Sequence, residues 1–302
     1  MGHANTPAKT LGKTSVASKI AAVLASILLA STVGCASKPT EPTQFTVLTY
    51  NIHHAAGVDG KLDLARIAGI IKQTNPDFVA LQEVDRKTTR TGKVDQAAEL
   101  GKLTGMHAAF GKAMSFMGGQ YGDAVLCRFP IQSHRVIDLP WTDESKHEPR
   151  CALVTRCKTP AGEVAFISTH LDHTNRPNDR VEQVKAIIEK LTDEKSPAIL
   201  AGDFNCRPGS EPLLLLDAQW RRMTDDVPSI PSVDPKEKID HIYAKPPARW
   251  KVIETRVINE EVASDHRPVV AKIELQPTGP VAEKEEPEQP KAIEAPSKPG
   301  EN

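Results

Sequence analysis

The sequence has almost no net charge, because 38 Lys and Arg residues nearly balance 39 Asp and Glu residues to give a formal net charge of -1. A chain without excess basic residues has no long-range field that attracts a polyanion, so any recognition of phosphate must be local. Aromatic residues are also scarce, at 4 % of the chain. This scarcity disfavours an exposed aromatic hairpin for membrane insertion.

The five cysteines show no CxxC or zinc-finger spacing, which argues against a structural zinc site. Cys127, Cys151 and Cys157 lie in segments that we predict to be neighbouring strands, so a disulfide is compatible with an oxidising compartment. The sequence alone does not pair them. Cys206 is expected to be a buried neutral thiol rather than a nucleophile.

The first 35 residues have the organisation of a signal peptide. Several lysines precede Ile20–Val33, an apolar stretch too short to span a bilayer comfortably. The stretch ends at Thr32–Cys35, which resembles a bacterial lipobox, in which the cysteine is lipidated and becomes the mature N-terminus. We therefore expect lipid on Cys35, although Thr32 stands where Leu is usual. An ordinary cleaved signal, an uncleaved anchor and myristoylation at Gly2 are the alternatives.

Lipidation of Cys35 would anchor the protein to a membrane of the bacterial cell envelope, with its domain facing the periplasm or the exterior. Residues 36–43 form a polar tether, and residues 277–302 are rich in Pro, Glu and Lys. We predict that the second segment is disordered, because it has almost no large apolar side chains to bury. The folded domain is therefore predicted to cover residues 44–276, and no protein partner is implied.

Several apolar runs within this domain end in a side chain that can bind a metal or move a proton. Side chains of this kind follow four of the runs: Asn51, Glu83, His170, Asp203 and Asn205. Asp240 lies beside Ile239, and Asp265 and His266 precede another apolar run. Such residues at the same end of several core strands are expected to meet at one rim of a sheet, where ligands usually bind.

The apolar periodicity between these runs alternates between strand and helix. Three segments have amphipathic helical spacing: Leu62–Gln73, Gln96–Leu103 and Arg180–Leu191. Three others are predicted to be successive antiparallel strands: Asp123–Arg128, Arg150–Lys158 and Glu163–Ser168. Helices outside two packed mixed sheets would bury all of these apolar faces.

Six motifs in order resemble those of the endonuclease/exonuclease/phosphatase superfamily: Leu48–Asn51, Leu81–Val84, Ser168–Leu171, Ala201–Asn205, Ile239–Ile242 and Ser264–Pro268. Together they extend over nearly all of the predicted domain. The resemblance implies an α/β (α+β) fold, namely a four-layer α-β-β-α sandwich of two mixed β-sheets. It also implies hydrolysis of a phosphoester with the help of a divalent metal.

The resemblance assigns a metal-binding pair to Asn51 and Glu83, and assigns to Asp265 the acid that supports the metal directly or through water. The oxygen ligands of Asn51 and Glu83 suit Mg²⁺ or Mn²⁺. Some relatives place a metal-supporting acid just after the position of Asn51, where this chain has His53 and His54. These two residues are either contacts to phosphate or a second metal, or ordinary loop histidines.

The resemblance also assigns catalytic roles. His266 matches the catalytic histidine and Asp240 its carboxylate partner, which would orient the imidazole and raise its basicity. Asp203 is an equally good candidate to deprotonate water. Asn205 is expected to donate to a phosphoryl oxygen, and His170 to contact the phosphate and help the leaving group. Tyr121–Asp123 departs from a family Tyr-Gly-Asn segment, so its role in the site is open.

The substrate is predicted only as a class. Lys236–His241 departs from the Pro-Ala-Trp-Cys-Asp-Arg-like segment of inositol-phosphate phosphatases, and the neutral charge argues against a duplex-DNA endonuclease. A phosphodiesterase of the cell envelope remains, with a lipid headgroup, a nucleotide or nucleic acid as its phosphoester substrate. The alternatives are a nuclease that acts on scavenged nucleic acid and a non-catalytic envelope lipoprotein that uses the fold for binding.

Overall fold

The computed structural model describes residues 41–142, 147–175 and 177–278. The predicted signal peptide, Cys35 and most of the predicted C-terminal segment lie outside these ranges. Within them, no helix is long and apolar enough to cross a membrane. The first strand begins at Thr43 and the last ends at Leu275, close to the limits predicted for the folded domain.

The described residues form twelve strands and four α-helices. The strands are β1 (Thr43–Asn51), β2 (Phe78–Arg86), β3 (His107–Phe116), β4 (Gly119–Cys127), β5 (Ile131–Leu139), β6 (Arg150–Thr159), β7 (Gly162–His170), β8 (Ala198–Asp203), β9 (Arg221–Arg222), β10 (Asp240–Lys245), β11 (Trp250–Val257) and β12 (Val269–Leu275). The helices are α1 (Leu64–Thr74), α2 (Gln96–Thr104), α3 (Pro177–Lys190) and α4 (Glu211–Asp217).

Two mixed sheets of six strands pack face to face, with the orders β11-β12-β1-β2-β4-β3 and β5-β6-β7-β8-β10-β9. Apolar side chains from both sheets, such as Phe78 and Phe166, form the central core. A second core lies between α1 and the first sheet, and a third between α3, α4 and the second sheet. These layers confirm the predicted four-layer α-β-β-α sandwich.

The helix α1 shows how local sequence fixes an element of these outer layers. The carboxylate of Asp63 accepts a hydrogen bond from the amide of Arg66 at 2.9 Å and caps the first turn. Asn75 takes a left-handed conformation at the other end, just before Pro76, which cannot continue a helix. Ile67 and Ile71 lie on one face at a spacing of four and are fully buried against the first sheet.

Strand direction explains why the predicted polar residues converge. The strands β1, β2, β7 and β8 end at one rim, since β1 is parallel to β2 and β7 is parallel to β8. The strands β6, β10 and β12 begin at the same rim, because each is antiparallel to a neighbour that ends there. Residues that follow some strands and residues that precede others therefore meet at one place.

One predicted strand pairing is wrong. Asp123–Arg128 and Arg150–Lys158 were expected to be adjacent, but β4 pairs with β2 and β3, whereas β6 pairs with β5 and β7 in the opposite sheet. The chain passes from the first sheet to the second between β4 and the edge strand β5. The prediction missed this crossing because the apolar pattern does not show which sheet a strand joins. Cys127, Cys151, Cys157 and Cys206 are all buried free thiols.

Candidate active site

A cavity of about 360 Å³ opens at this rim between the two sheets. Six of the predicted site residues line it: Asn51, Glu83, His170, Asp203, Asn205 and His266. Asn51 and Glu83 come from the first sheet and His170 and Asp203 from the second, so the cavity exists only where the sheets face each other. Cavities of this size are typical of small-molecule sites.

Asn51 connects the two sheets within the cavity. Its amide nitrogen donates to Glu83 Oε1 at 3.0 Å and to Asp203 Oδ2 at 3.2 Å. Its amide oxygen accepts the backbone N–H of His53 at 3.1 Å. Glu83 has a φ of 59° at a register shift between β2 and β4, a left-handed conformation that is uncommon for residues other than glycine. This irregularity directs its carboxylate into the cavity.

His266 lies between two buried carboxylates. Its Nδ1 is 3.0 Å from Asp240 Oδ2, and its Nε2 is 3.6 Å from Asp203 Oδ2. Asp240 Oδ2 also accepts the hydroxyl of Ser229 at 2.5 Å. Because a carboxylate only accepts, Nδ1 of His266 donates a hydrogen bond to Asp240, and Nε2 faces Asp203.

The buried charges perturb one another. Burial opposes a charge on His266, but Asp240 and Asp203 outweigh it and raise the pKa of His266 to about 10. Burial raises the pKa of Asp203 to about 7, although His266 acts in the opposite direction. Burial would also raise the pKa of Asp240, but its direct hydrogen bonds and His266 bring a net lowering. Asp203 is therefore protonated more easily than Asp240.

A buried arginine holds His170. The guanidinium of Arg150 donates to Glu148 Oε1 at 2.7 Å, to His170 Nδ1 at 3.2 Å and to His173 Nδ1 at 2.8 Å. An arginine can only donate, so the proton of His170 is on Nε2, which lies 3.5 Å from Asp203 Oδ2. Burial, followed by the charge of Arg150, holds the pKa of His170 well below its usual value.

Asn205 lies directly beyond the end of β8, with a left-handed φ of 48°. Its backbone N–H donates to Asp203 Oδ1 at 2.9 Å, and its side-chain amide donates to the carbonyl of Leu171 at 3.0 Å. The side-chain amide has a second hydrogen, and Asn205 lines the cavity. It can therefore donate to an anionic ligand.

The sequence that forms this cavity matches a known protein family. A model described as "Endonuclease/Exonuclease/phosphatase family" matches residues 48–266, a range that contains every residue of the cavity discussed above. The chain belongs to the endonuclease/exonuclease/phosphatase family. The resemblance of the six motifs is thereby confirmed.

Solved structures match the fold, and a further protein matches most of the chain in sequence. The uncharacterized protein YbhP of Escherichia coli is 24% identical over 251 residues, which is 78% of this chain and 98% of YbhP. The crystal structure of an endonuclease/exonuclease/phosphatase from Beutenbergia cavernae matches with a TM-score of 0.66 and 25% identity, over 77% of this chain and 72% of that one. A mannosyl-6-phosphatase of Bacteroides thetaiotaomicron matches with a TM-score of 0.60 and 20% identity, over 76% and 99% of the two chains.

Two predicted residues of the family site do not line the cavity. Asp240 is buried behind His266, as a positioning partner would be. Asp265 is partly exposed, and its Oδ1 lies 3.2 Å from the hydroxyl oxygen of Ser264. The same hydroxyl donates to the carbonyl of Asn51 at 2.7 Å, so Asp265 lies beside the end of β1. The metal-supporting role of Asp265 stays a prediction.

Two arginines in the cavity wall were not among the predicted site residues. Arg150 begins β6, so the rule that site residues follow strands does not find it. Arg90 lines the cavity from the loop after β2, where it pairs with Asp85 at 2.7 Å and lies 4.7 Å over the ring of Phe116. In the sequence Arg90 looks like a solvated loop residue. The one signal for Arg90 is the position of Asp85 within the buried strand β2, because a buried carboxylate needs a partner.

Asp123 occupies the position where the family segment has Asn. It is buried, it accepts only the thiol of Cys151 at 3.4 Å, and its Oδ1 has no hydrogen-bond partner among the described residues. Burial raises the pKa of Asp123 to about 8. A neutral carboxylic acid has the shape of the amide that it replaces, so Asp123 fits the family position in its protonated form.

Proposed function

We propose that the protein is a divalent-metal-dependent phosphodiesterase of the cell envelope. One observation supports hydrolysis above all: three carboxylates, two amides, three histidines and two arginines surround a single cavity. Phosphoester cleavage needs positive charge at the non-bridging oxygens, a polarised water and a stabilised leaving oxygen. A domain that only bound a ligand would not need the buried group of His266, Asp203 and Asp240.

The side chains of Asn51 and Glu83 fit a divalent cation. They offer carboxylate and amide oxygens on the cavity wall, which are the ligands that Mg²⁺ and Mn²⁺ prefer. A cation held there would supply positive charge to the phosphoryl oxygens. We propose that Asn51 and Glu83 hold this ion, with Asp265 supporting it.

The remaining residues would divide the proton transfers. Oδ2 of Asp203 lies within 3.2–3.6 Å of Asn51, His170 and His266, so a water near this oxygen would be in contact with several polar groups. Asp203 would accept the proton of that water, while Asp240 would orient His266 toward the same point. His170, neutral and carrying a proton on Nε2, and Asn205 can donate to oxygens of the phosphate.

A second cavity supports a diester over a monoester. It has a volume of about 460 Å³ and shares His173 and Asn205 with the first cavity. A phosphate next to Asn205 would have room for a substituent on both sides, which a diester requires and a monoester does not. A monoesterase is the rival within the family, since one structural neighbour is a mannosyl-6-phosphatase. The volumes suit a lipid headgroup or a nucleotide better than duplex DNA.

A phosphoester panel tests the activity. The purified protein would be assayed with bis-p-nitrophenyl phosphate, p-nitrophenyl phosphate, glycerophosphodiesters, sphingomyelin and plasmid DNA, each with EDTA, Mg²⁺ or Mn²⁺. We expect the wild type to hydrolyse the diesters, to stop in EDTA and to recover when metal is added. Glu83→Gln should need a higher metal concentration, because that variant loses a charged ligand. Full activity of Glu83→Gln in EDTA would refute the metal assignment, and preference for p-nitrophenyl phosphate would refute the diester assignment.

A further inference from the structure

Three consecutive residues after β1 have an unusual backbone. His53, His54 and Ala55 have φ values of 45°, 44° and 63°, a left-handed conformation that non-glycine residues rarely adopt. Each such residue costs on the order of 1 kcal/mol or more, so a run of three persists only where the surroundings impose it. Strain of this kind is concentrated at functional sites.

Hydrogen bonds from the active-site wall impose the turn. The backbone N–H of His53 donates to the amide oxygen of Asn51 at 3.1 Å, and Gln96 at the start of α2 donates to the carbonyl of His54 at 2.8 Å. Gln96 in turn accepts the backbone N–H of Asp85 in β2 at 2.8 Å. The histidine turn is thus attached to the same two strands that carry Asn51 and Glu83.

The turn places both imidazoles beside Glu83. One potential ligand atom from each of His53, His54 and Glu83 lies within 4.8 Å of the other two. The Nδ1 of His53 lies 3.1 Å from the carbonyl of Ala56, which can only accept, so the proton is on Nδ1 and Nε2 has a free lone pair. Metal-binding histidines in proteins commonly make this hydrogen bond to a carbonyl. The Nδ1 of His54 is buried without a partner among the described residues.

We propose that His53 and His54 are ligands, together with Glu83, of the catalytic divalent cation. The inference adds nitrogen ligands to the metal of the proposed function. Imidazole nitrogen binds Mn²⁺ only moderately, and binds Co²⁺, Ni²⁺ and Zn²⁺ more strongly, whereas Mg²⁺ prefers an all-oxygen set. The protein therefore selects a transition metal over Mg²⁺.

The test measures metal binding to the full-length chain without turnover. Calorimetric titrations with Mg²⁺, Mn²⁺ and Co²⁺ would be made on the wild type, His53→Asn, His54→Asn and Glu83→Gln. Asparagine is the matched substitution because it tolerates a left-handed backbone while removing the imidazole. His134→Gln, at an exposed position in β5, is the control. Pulsed electron paramagnetic resonance of the bound Mn²⁺ would detect coupling to imidazole ¹⁴N in the wild type, which requires no variant to fold.

We expect Co²⁺ to bind the wild type far more tightly than Mg²⁺, and each Asn variant to lose about 10-fold or more in Co²⁺ affinity, the scale seen when metal-site partners are removed. Mg²⁺ affinity should change little in these variants, and Glu83→Gln should weaken all three metals. Absence of ¹⁴N coupling, or equal Co²⁺ affinity in the wild type and both Asn variants, would overturn the proposal. Nitrogen coupling in a protein inactive on every phosphoester would support this site while refuting the proposed function.

Discussion

His266 has a carboxylate on each side, and the two carboxylates differ in what they contact. Asp240 is hydrogen-bonded to Nδ1 of His266 and to Ser229, whereas Asp203 faces the cavity at a longer distance from Nε2. The first arrangement fixes the ring, and the second leaves an oxygen available to water. His266 and Asp240 should therefore act as one unit, with Asp203 as the group next to the reacting atoms.

Substitution of this unit should reduce turnover without removing the metal. We expect His266→Ala and Asp240→Asn each to lower kcat by roughly two orders of magnitude or more, the contribution usual for positioned acid–base groups. The double variant should have a kcat only slightly below that of the less active single variant, because the two residues act together. Steady-state kinetics would measure kcat, and metal titration would measure the metal affinity of each variant. Losses that multiply would show that the two residues act independently.

Asp123 should make stability depend on pH. Its folded pKa of about 8 lies above the ordinary Asp value, so the folded state holds a proton that the unfolded chain releases. The stabilisation of the folded state by this bound proton is complete below the pKa of Asp123 in the unfolded chain, which is near 4, and is lost as the pH rises toward 8. We expect Asp123→Asn to be more stable than the wild type at pH 9, by on the order of 5 kcal/mol, with the difference disappearing at acid pH.

Urea unfolding of both proteins at pH 5, 7 and 9 would measure this effect. Asp138→Asn in β5 removes an exposed carboxylate and serves as the control. If Asp138→Asn flattened the pH dependence as much as Asp123→Asn, total charge rather than the buried acid would be the cause.

At the level of residues, the sequence predicted those parts of the cavity that follow apolar runs or belong to family motifs. Asn51, Glu83, His170 and Asp203 were found in this way, and the structure brings them together. Arg150 was not, because a charged residue that begins a strand resembles any strand boundary. The histidine turn was named as a candidate, but its left-handed backbone depends on hydrogen bonds from Asn51 and Gln96, which are distant in sequence.

At the level of elements, the site depends on close pairing of β7 with β8. Their register sets His170 opposite Asp203 and Thr169 opposite Gly202. A Cβ on Gly202 would lie 2.0 Å from the carbonyl oxygen of Thr169, a contact that the backbone cannot absorb without moving. The absence of a side chain at position 202 therefore keeps in contact the two strands that carry His170 and Asp203.

Gly202→Ala should separate these strands. We expect a loss of about 3 kcal/mol in the free energy of unfolding, the upper range for inserting a methyl group into a packed interior, together with a fall in kcat as His170 and Asp203 move apart. Gly69→Ala is the matched control, because Gly69 lies in α1 with no atom near its absent Cβ. That variant should gain up to about 1 kcal/mol from helix propensity. Equal effects of the two substitutions in thermal unfolding would refute the argument.

The amphipathic helices were predictable because their apolar period depends on local sequence alone. The helices α1, α2 and α3 lie within a few residues of their predicted limits. The assignment of strands to sheets was less predictable. β4 and β6 both read as buried strands, and the pairing of each depends on the edge strands β3 and β5, whose many exposed residues give a weak apolar pattern.

At the level of the whole molecule, the location remains a prediction of the sequence. Cys35 lies outside the described residues, and its role depends on the lipobox-like Thr32–Cys35 segment. We expect the wild type to partition with membranes and the detergent phase, and Cys35→Ser to move to the aqueous fraction or to keep its signal peptide, because no lipid can then be attached. Replacement of Cys206 by Ser is the control for loss of a thiol. Unchanged detergent partitioning of Cys35→Ser would contradict the lipid anchor.

The pairing of β1 with β12 governs when the domain can fold. Thr43 lies opposite Leu275, so the first strand of the domain completes its sheet only with the last strand. A nascent chain that has emerged only as far as β11 has β1 with one long edge unpaired, and His266 is still missing from the cavity. The first sheet can therefore close only when nearly all residues of the domain are available, so the domain should complete its fold late in synthesis.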